Sequence, residues 1–138
     1  MKKIVIAGSA KLPKQIDYWI TFFKNRSYEI LDYPKEIEKS KFIELYPIIH
    51  IEFLENIKRT DILFIMNEDK NGKVGYIGYE AYAELLFGLL QKLVYHQDIE
   101  LVILKMPTKD VGCYDEICLW LELGWIKLYG DESNEYEV

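Results

Sequence analysis

Short apolar runs alternate with amphipathic stretches along this chain. The first run, Ile4-Val5-Ile6-Ala7, is continuous and ends in Gly8-Ser9. A run without polar alternation fits a strand covered on both faces, as in a parallel sheet. Pro13 then opens a predicted helix in which Ile16, Trp19, Ile20 and Phe23 recur at helical spacing. Residues 28–31 read as a second strand, closed by Tyr33-Pro34. Residues 35–60 read as mainly helical, with an apolar stripe of Phe42, Leu45, Ile49, Phe53 and Ile57, and Pro47 is expected to kink or divide them. Residues 62–66 form the third predicted strand, 67–78 a polar loop containing glycines, 79–95 a strong helix and 101–104 a fourth strand. A last helix over 115–123 stops at Gly124, and 125–129 read as a fifth strand.

Strands separated throughout by helices imply βαβ crossovers, and therefore a mostly parallel sheet with helices on both faces. The expected fold class is α/β: a single three-layer domain with a mostly parallel five-stranded sheet, Rossmann-like or flavodoxin-like, with an order such as 2-1-3-4-5. In such sheets ligands bind beyond the carboxyl ends of the strands, at the switch point. The loops after the first and third strands, Gly8-Ser9-Ala10-Lys11 and residues 67–78, then share one edge. A length of 138 residues suits one domain. Residues 1–130 are expected to form it, with 131–138 as an acidic tail.

Charge and cysteine content narrow the function classes. A net charge of −6 and a pI near 5.0 argue against a nucleic-acid polymer as partner, since such binders show a basic face. Cys113 and Cys118 have neither CxxC nor metal-site spacing, so buried or free thiols are expected. The amino-terminal apolar run is too short for a signal peptide, and no run reaches membrane-spanning length. A cytoplasmic enzyme or binding protein without membrane contact fits these facts. His50 and His96 lack cysteine or clustered carboxylate partners in the sequence, so no metal site is expected. The first loop lacks the hydroxyl-rich phosphate cradle of a flavin mononucleotide carrier, so no cofactor is expected.

Three features can carry chemistry. Gly8 and Ser9 sit between a strand and a helix, where close backbone approach and a helix N-terminus favour a phosphate or carboxylate, and Lys11 adds positive charge. The alternative is an ordinary tight turn. The loop containing Asn67, Glu68, Asp69, Gly75, Tyr76, Ile77 and Gly78 exceeds the roughly 2–6 residues of a typical βα connection, and Tyr76 offers a stacking surface. It reads either as a ligand loop or as a surface excursion. Glu80 and Glu84, spaced i,i+4, share a helix face near that loop; a helical glutamate taken alone is most often a solvated residue.

The run from Asn56 through Asp61 to Asn67, the turn Gly75-Tyr76-Ile77-Gly78, and Glu84-Leu85-Leu86-Phe87-Gly88 with Lys92 together resemble the nucleoside 2-deoxyribosyltransferase superfamily, which includes deoxynucleotide N-glycosidases. The resemblance spans roughly residues 3–104. It implies an enzyme that cleaves or transfers the N-glycosidic bond of a nucleoside or nucleotide, with Glu84 as nucleophile and no metal. It places Gly8 and Ser9 at the sugar or its phosphate, and Tyr76, Ile77 and Gly78 around the pocket. Asp69 or Glu68 is then available as general acid. The alternative is a non-catalytic nucleotide- or nucleobase-binding module that keeps the fold, because Phe53 stands where the family often has a supporting aspartate. The resemblance also implies a homo-oligomer, with the leucine-rich helix over 84–94 and Tyr79 and Tyr82 offering the surface.

Overall fold

The apolar runs become strands because each is buried on both faces. A computed structural model describes residues 1–131. Strand β1 (Lys3–Ala7) leads to helix α1 (Pro13–Lys24), β2 (Glu29–Asp32), a 3-10 turn at Lys39–Lys41, and α2 (Phe42–Ile57). Then follow β3 (Ile62–Ile65), α3 (Tyr79–Leu93), β4 (Glu100–Ile103), α4 (Tyr114–Glu122) and β5 (Lys127–Leu128). All neighbouring strands are parallel, in the order β2-β1-β3-β4-β5. Successive residues of β1 divide between two cores. Ile4 and Ile6 pack with Ile16, Trp19 and Phe23 of α1, while Val5 and Ala7 face Phe53 and Ile57 of α2 and Leu85 and Leu89 of α3. Ile117 and Trp120 of α4 belong to the second core. The result is the three-layer, Rossmann-like or flavodoxin-like α/β fold.

Several expectations need correction. Helix α2 starts at Phe42, not residue 35, and runs undivided through Pro47. The proline lies in the second turn on the exposed side, so the Ile43 carbonyl it leaves unpaired is beside solvent. The apolar stripe is buried only at Phe53 and Ile57; Phe42 is exposed, and Leu45 and Ile49 are half-buried. The fifth strand shrinks to two residues at the sheet edge. Tyr82 is no free surface residue: its ring stacks on Trp120 at 5.6 Å. Cys113 and Cys118 are free thiols. Except for Asp131, the expected acidic tail lies outside the described residues. Among the described residues, no helix is long and apolar enough to cross a membrane.

Two contacts set the position of the upper edge. Gly88 lets α3 lie close on the sheet, since a Cβ there would meet side-chain carbons of Leu101 at 2.8 Å and Leu63 at 3.0 Å. Asn67, buried just beyond β3, joins three segments. Its amide donates to the carbonyls of Gly75 (3.2 Å) and Lys105 (2.6 Å), and its oxygen accepts from the N–H groups of Leu104 (2.8 Å) and Lys105 (3.2 Å). At the opposite edge, Asp61 accepts the Lys3 N–H at 2.8 Å, far along the strands from the glycine turn. Replacing Asn67 by Ala strips partners from backbone groups in two loops. The expected loss is about 2–4 kcal/mol of unfolding free energy, read by denaturant titration with an unchanged m-value.

Candidate active site

Beyond the carboxyl ends of β1 and β3 lies a cleft of about 720 Å³. Its position is the one that sheet topology favours, because the chain leaves β1 toward β2 on one side and β3 lies on the other. The two loops expected to meet there do meet. Lys70 Nζ donates to Ser9 Oγ at 2.7 Å, and the Lys11 N–H donates to the same oxygen at 3.2 Å. Lys70 also sits 5.8 Å above the Tyr76 ring. A third segment, between β2 and α2, closes the mouth, where Lys11 pairs with Glu36 at 3.0 Å.

Of the residues singled out in the sequence, Gly8, Ser9, Lys11, Asn67, Tyr76, Gly78, Glu80 and Glu84 line the cleft. Asn67 does so with every donor and acceptor of its amide engaged by backbone groups, so its side chain acts as a clasp within the cleft wall. Asp69, Gly75 and Ile77 do not line it. The Gly75 N–H donates to Asp69 Oδ1 at 3.0 Å, and with a hydrogen bond from Lys105 this holds the Asp69 carboxyl below its usual range. An aspartate so held is a poor proton donor. Gly75 has φ +66°, and a Cβ there would come within 2.8 Å of the Met106 carbonyl oxygen; the residue is needed to make the turn. Ile77 is buried in the core.

Glu84 forms the floor. Only 5% of the residue is exposed, and no hydrogen bond reaches its carboxyl from any described residue. Its pKa is pushed up to about 8, first by burial and then by the negative charges of Glu80 and Asp32. Asp32 is itself buried, held by Asn56 Nδ2 at 2.8 Å, by the Tyr33 N–H at 2.9 Å and by Lys35. At neutral pH the Glu84 carboxyl therefore largely holds its proton, and a positive charge arriving beside it would favour the ionised form.

Sequence reading missed the wall opposite. Phe42, Tyr46 and His50 recur every four residues on α2 and stack in series, with ring centroids 5.1 and 5.0 Å apart. All three line the cleft, as do Phe53, Lys35 and Lys39. The aromatic i,i+4,i+8 spacing was a readable signal. His50, moreover, is not isolated: ligand atoms of His50, Glu80 and Glu84 all lie within 4.8 Å of one another, supplying the clustered carboxylates that the linear sequence lacks. Glu68 also lines the cleft and accepts the Trp19 indole N–H at 2.9 Å.

The Glu84 shift has a sign for stability. The folded state holds this proton more tightly than the unfolded chain, so the contribution is complete below the ordinary carboxyl pKa. It is lost as pH rises toward 8. Wild-type protein should lose up to roughly 1.4 kcal/mol per pH unit between about pH 5 and 8 relative to Glu84→Gln. Parallel curves for the two proteins in denaturant unfolding would contradict this.

No family model matches the chain, and no curated protein does. Among solved structures it is similar to the CMP N-glycosidase BcmB of Clostridium botulinum, with 12% sequence identity and a TM-score of 0.45, covering 75% of this chain and 71% of that chain.

Proposed function

We propose that this protein cleaves or transfers the N-glycosidic bond of a nucleoside or nucleotide, with Glu84 as the nucleophile. The observation that carries the reading is the buried, partnerless Glu84 carboxyl on the floor of a cleft walled by aromatic rings and rimmed by lysines. The sequence resemblance assigns the same residue. A purine or pyrimidine is planar and packs against faces such as Tyr46 or Tyr76. The sugar carbon then lies over the floor. As the bond from C1′ to the base nitrogen lengthens, positive charge grows on the sugar, and the Glu84 oxygen, its proton given up to solvent, bonds to C1′. The base leaves with a proton, for which Glu68 is the loop carboxyl bordering the cleft. Water or a second base then attacks C1′ and frees Glu84.

Four lysines line the mouth: Lys11, Lys35, Lys39 and Lys70. The first, second and fourth hold Glu36, Asp32 and Ser9. Lys39 has no such partner among the described residues and is free to meet a 5′-phosphate. This favours a nucleoside monophosphate over a nucleoside.

Incubation with deoxynucleosides and their 5′-monophosphates, followed by chromatography, should yield free base. Glu84→Gln should reduce release by about a thousandfold. Lys39→Ala should raise KM about tenfold for monophosphates and leave nucleosides unaffected. No base from any substrate, or equal release by Glu84→Gln, would end the proposal. A non-catalytic binding module is the second reading, favoured by the apolar Phe53 on the cleft wall. It predicts nucleotide binding without turnover, at an affinity that Glu84→Gln does not change.

The self-association that the resemblance implies would use apolar surface left bare on two helices: Ile43, Ile48 and Ile51 of α2, and Tyr79, Leu86 and Leu90 of α3. Light scattering should give a dimer mass, reduced to that of a monomer by Leu86→Glu and Leu90→Glu together.

A further inference from the structure

We propose that His50, Glu80 and Glu84 form a binding site for a divalent transition-metal ion, with zinc the best match, on the floor of the cleft. The three donors come from two elements. Glu80 and Glu84 lie one turn apart on α3, and His50 faces them from α2. Their ligand atoms converge within 4.8 Å, yet no hydrogen bond or ion pair among the described residues links them. An imidazole beside two carboxylates ordinarily bonds to one of them; here the groups surround a gap instead.

Two further observations point to an occupant. Nδ1 of His50 is buried and has no hydrogen-bond partner, and the Glu84 carboxyl, in a residue only 5% exposed, has none either. An unsatisfied polar atom at the depth of His50 Nδ1 is costly, and the Glu84 oxygens, without a partner among the described residues, face the cleft; an ion between them would engage both groups. Zinc bonds nitrogen and oxygen at roughly 2.0–2.2 Å, so atoms around it stand about 3–4 Å apart, and small side-chain rotations would close the set. One nitrogen and two carboxylate oxygens suit zinc or its first-row neighbours. Magnesium and calcium prefer oxygen alone, and copper(I) prefers sulfur. The two carboxylates balance a doubly charged ion. Three protein ligands leave the remaining position open to the cleft.

Binding of the ion does not rest on the glycosyl-transfer reading, but its consequence does. An ion that takes the Glu84 oxygens denies them to C1′, so zinc would inhibit base release.

Metal-stripped full-length protein titrated with Co²⁺ gives the test, because cobalt reports coordination by its visible absorption and no nucleotide is needed. The expected result is saturation at one equivalent, with reversal by Zn²⁺. His50→Gln and Glu80→Gln should each weaken binding about tenfold or more, and His96→Ala should leave it unchanged. Glu80 is exposed, so E80Q keeps the fold even if changes at His50 disturb packing. An unchanged spectrum, or binding that survives both His50→Gln and Glu80→Gln undiminished, would overturn the proposal. Either outcome is independent of whether base is released.

Discussion

The upper edge of this molecule depends on the saturation of one buried amide. Strands β3 and β4 end side by side, and the glycine turn must fold back over them, which leaves backbone donors and acceptors of three segments without a ladder. Asn67 answers four of them at once. The turn in turn needs Gly75, whose backbone lies against Met106 and Pro107 with no room for a side chain. Once the turn is fixed, the start of α3 is fixed, and with it the height of Glu80 and Glu84 above the sheet. A polar residue whose amide is spent on backbone groups thus sets the geometry of its neighbours in the cleft.

Electrostatics at the cleft arise from an imbalance created by packing. Two acidic groups, Asp32 and Glu84, are buried near one another. Asp32 is compensated by an amide, a backbone N–H and a lysine, whereas no described residue does this for Glu84, which retains its proton up to about pH 8. The lysines at the mouth are spent largely on Glu36, Asp32 and Ser9, and so do not reach the floor. The site consequently combines a cationic rim with a floor that attracts positive charge. That division suits a guest with an anionic end and a centre that becomes cationic, and it equally suits a metal ion held at the base.

Much of this was legible in the sequence because it rests on periodicity. Continuous runs such as Ile4-Val5-Ile6-Ala7 and the helical recurrence of Ile16, Trp19 and Phe23 identify the layers, and alternation of strand with helix yields the parallel sheet. The meeting of Ser9 with the loop after β3 follows from the switch-point rule. The clasp at Asn67 was not legible, because its partners are defined by which backbone groups the tertiary fold leaves unpaired. Asp69 and Ile77 fell in the right loop but face away from the cleft, a difference of side-chain direction that spacing does not encode. His50 looked isolated since its carboxylate neighbours lie on α3, thirty or more positions later in the chain. Pro47 misled through its usual role, which lapses near an exposed helix start.

Helix α2 is held unevenly. Its last turns are seated in the core through Phe53, Asn56 and Ile57, while the turns bearing Phe42 and Tyr46 project over solvent. Glu84, by contrast, rides on a helix pressed against the sheet at Gly88. One jaw of the cleft is therefore anchored at its far end, and the other is packed against the sheet. Any widening of the cleft would come at the ring-bearing end of α2, with the acidic floor kept at its distance from the strands beneath it.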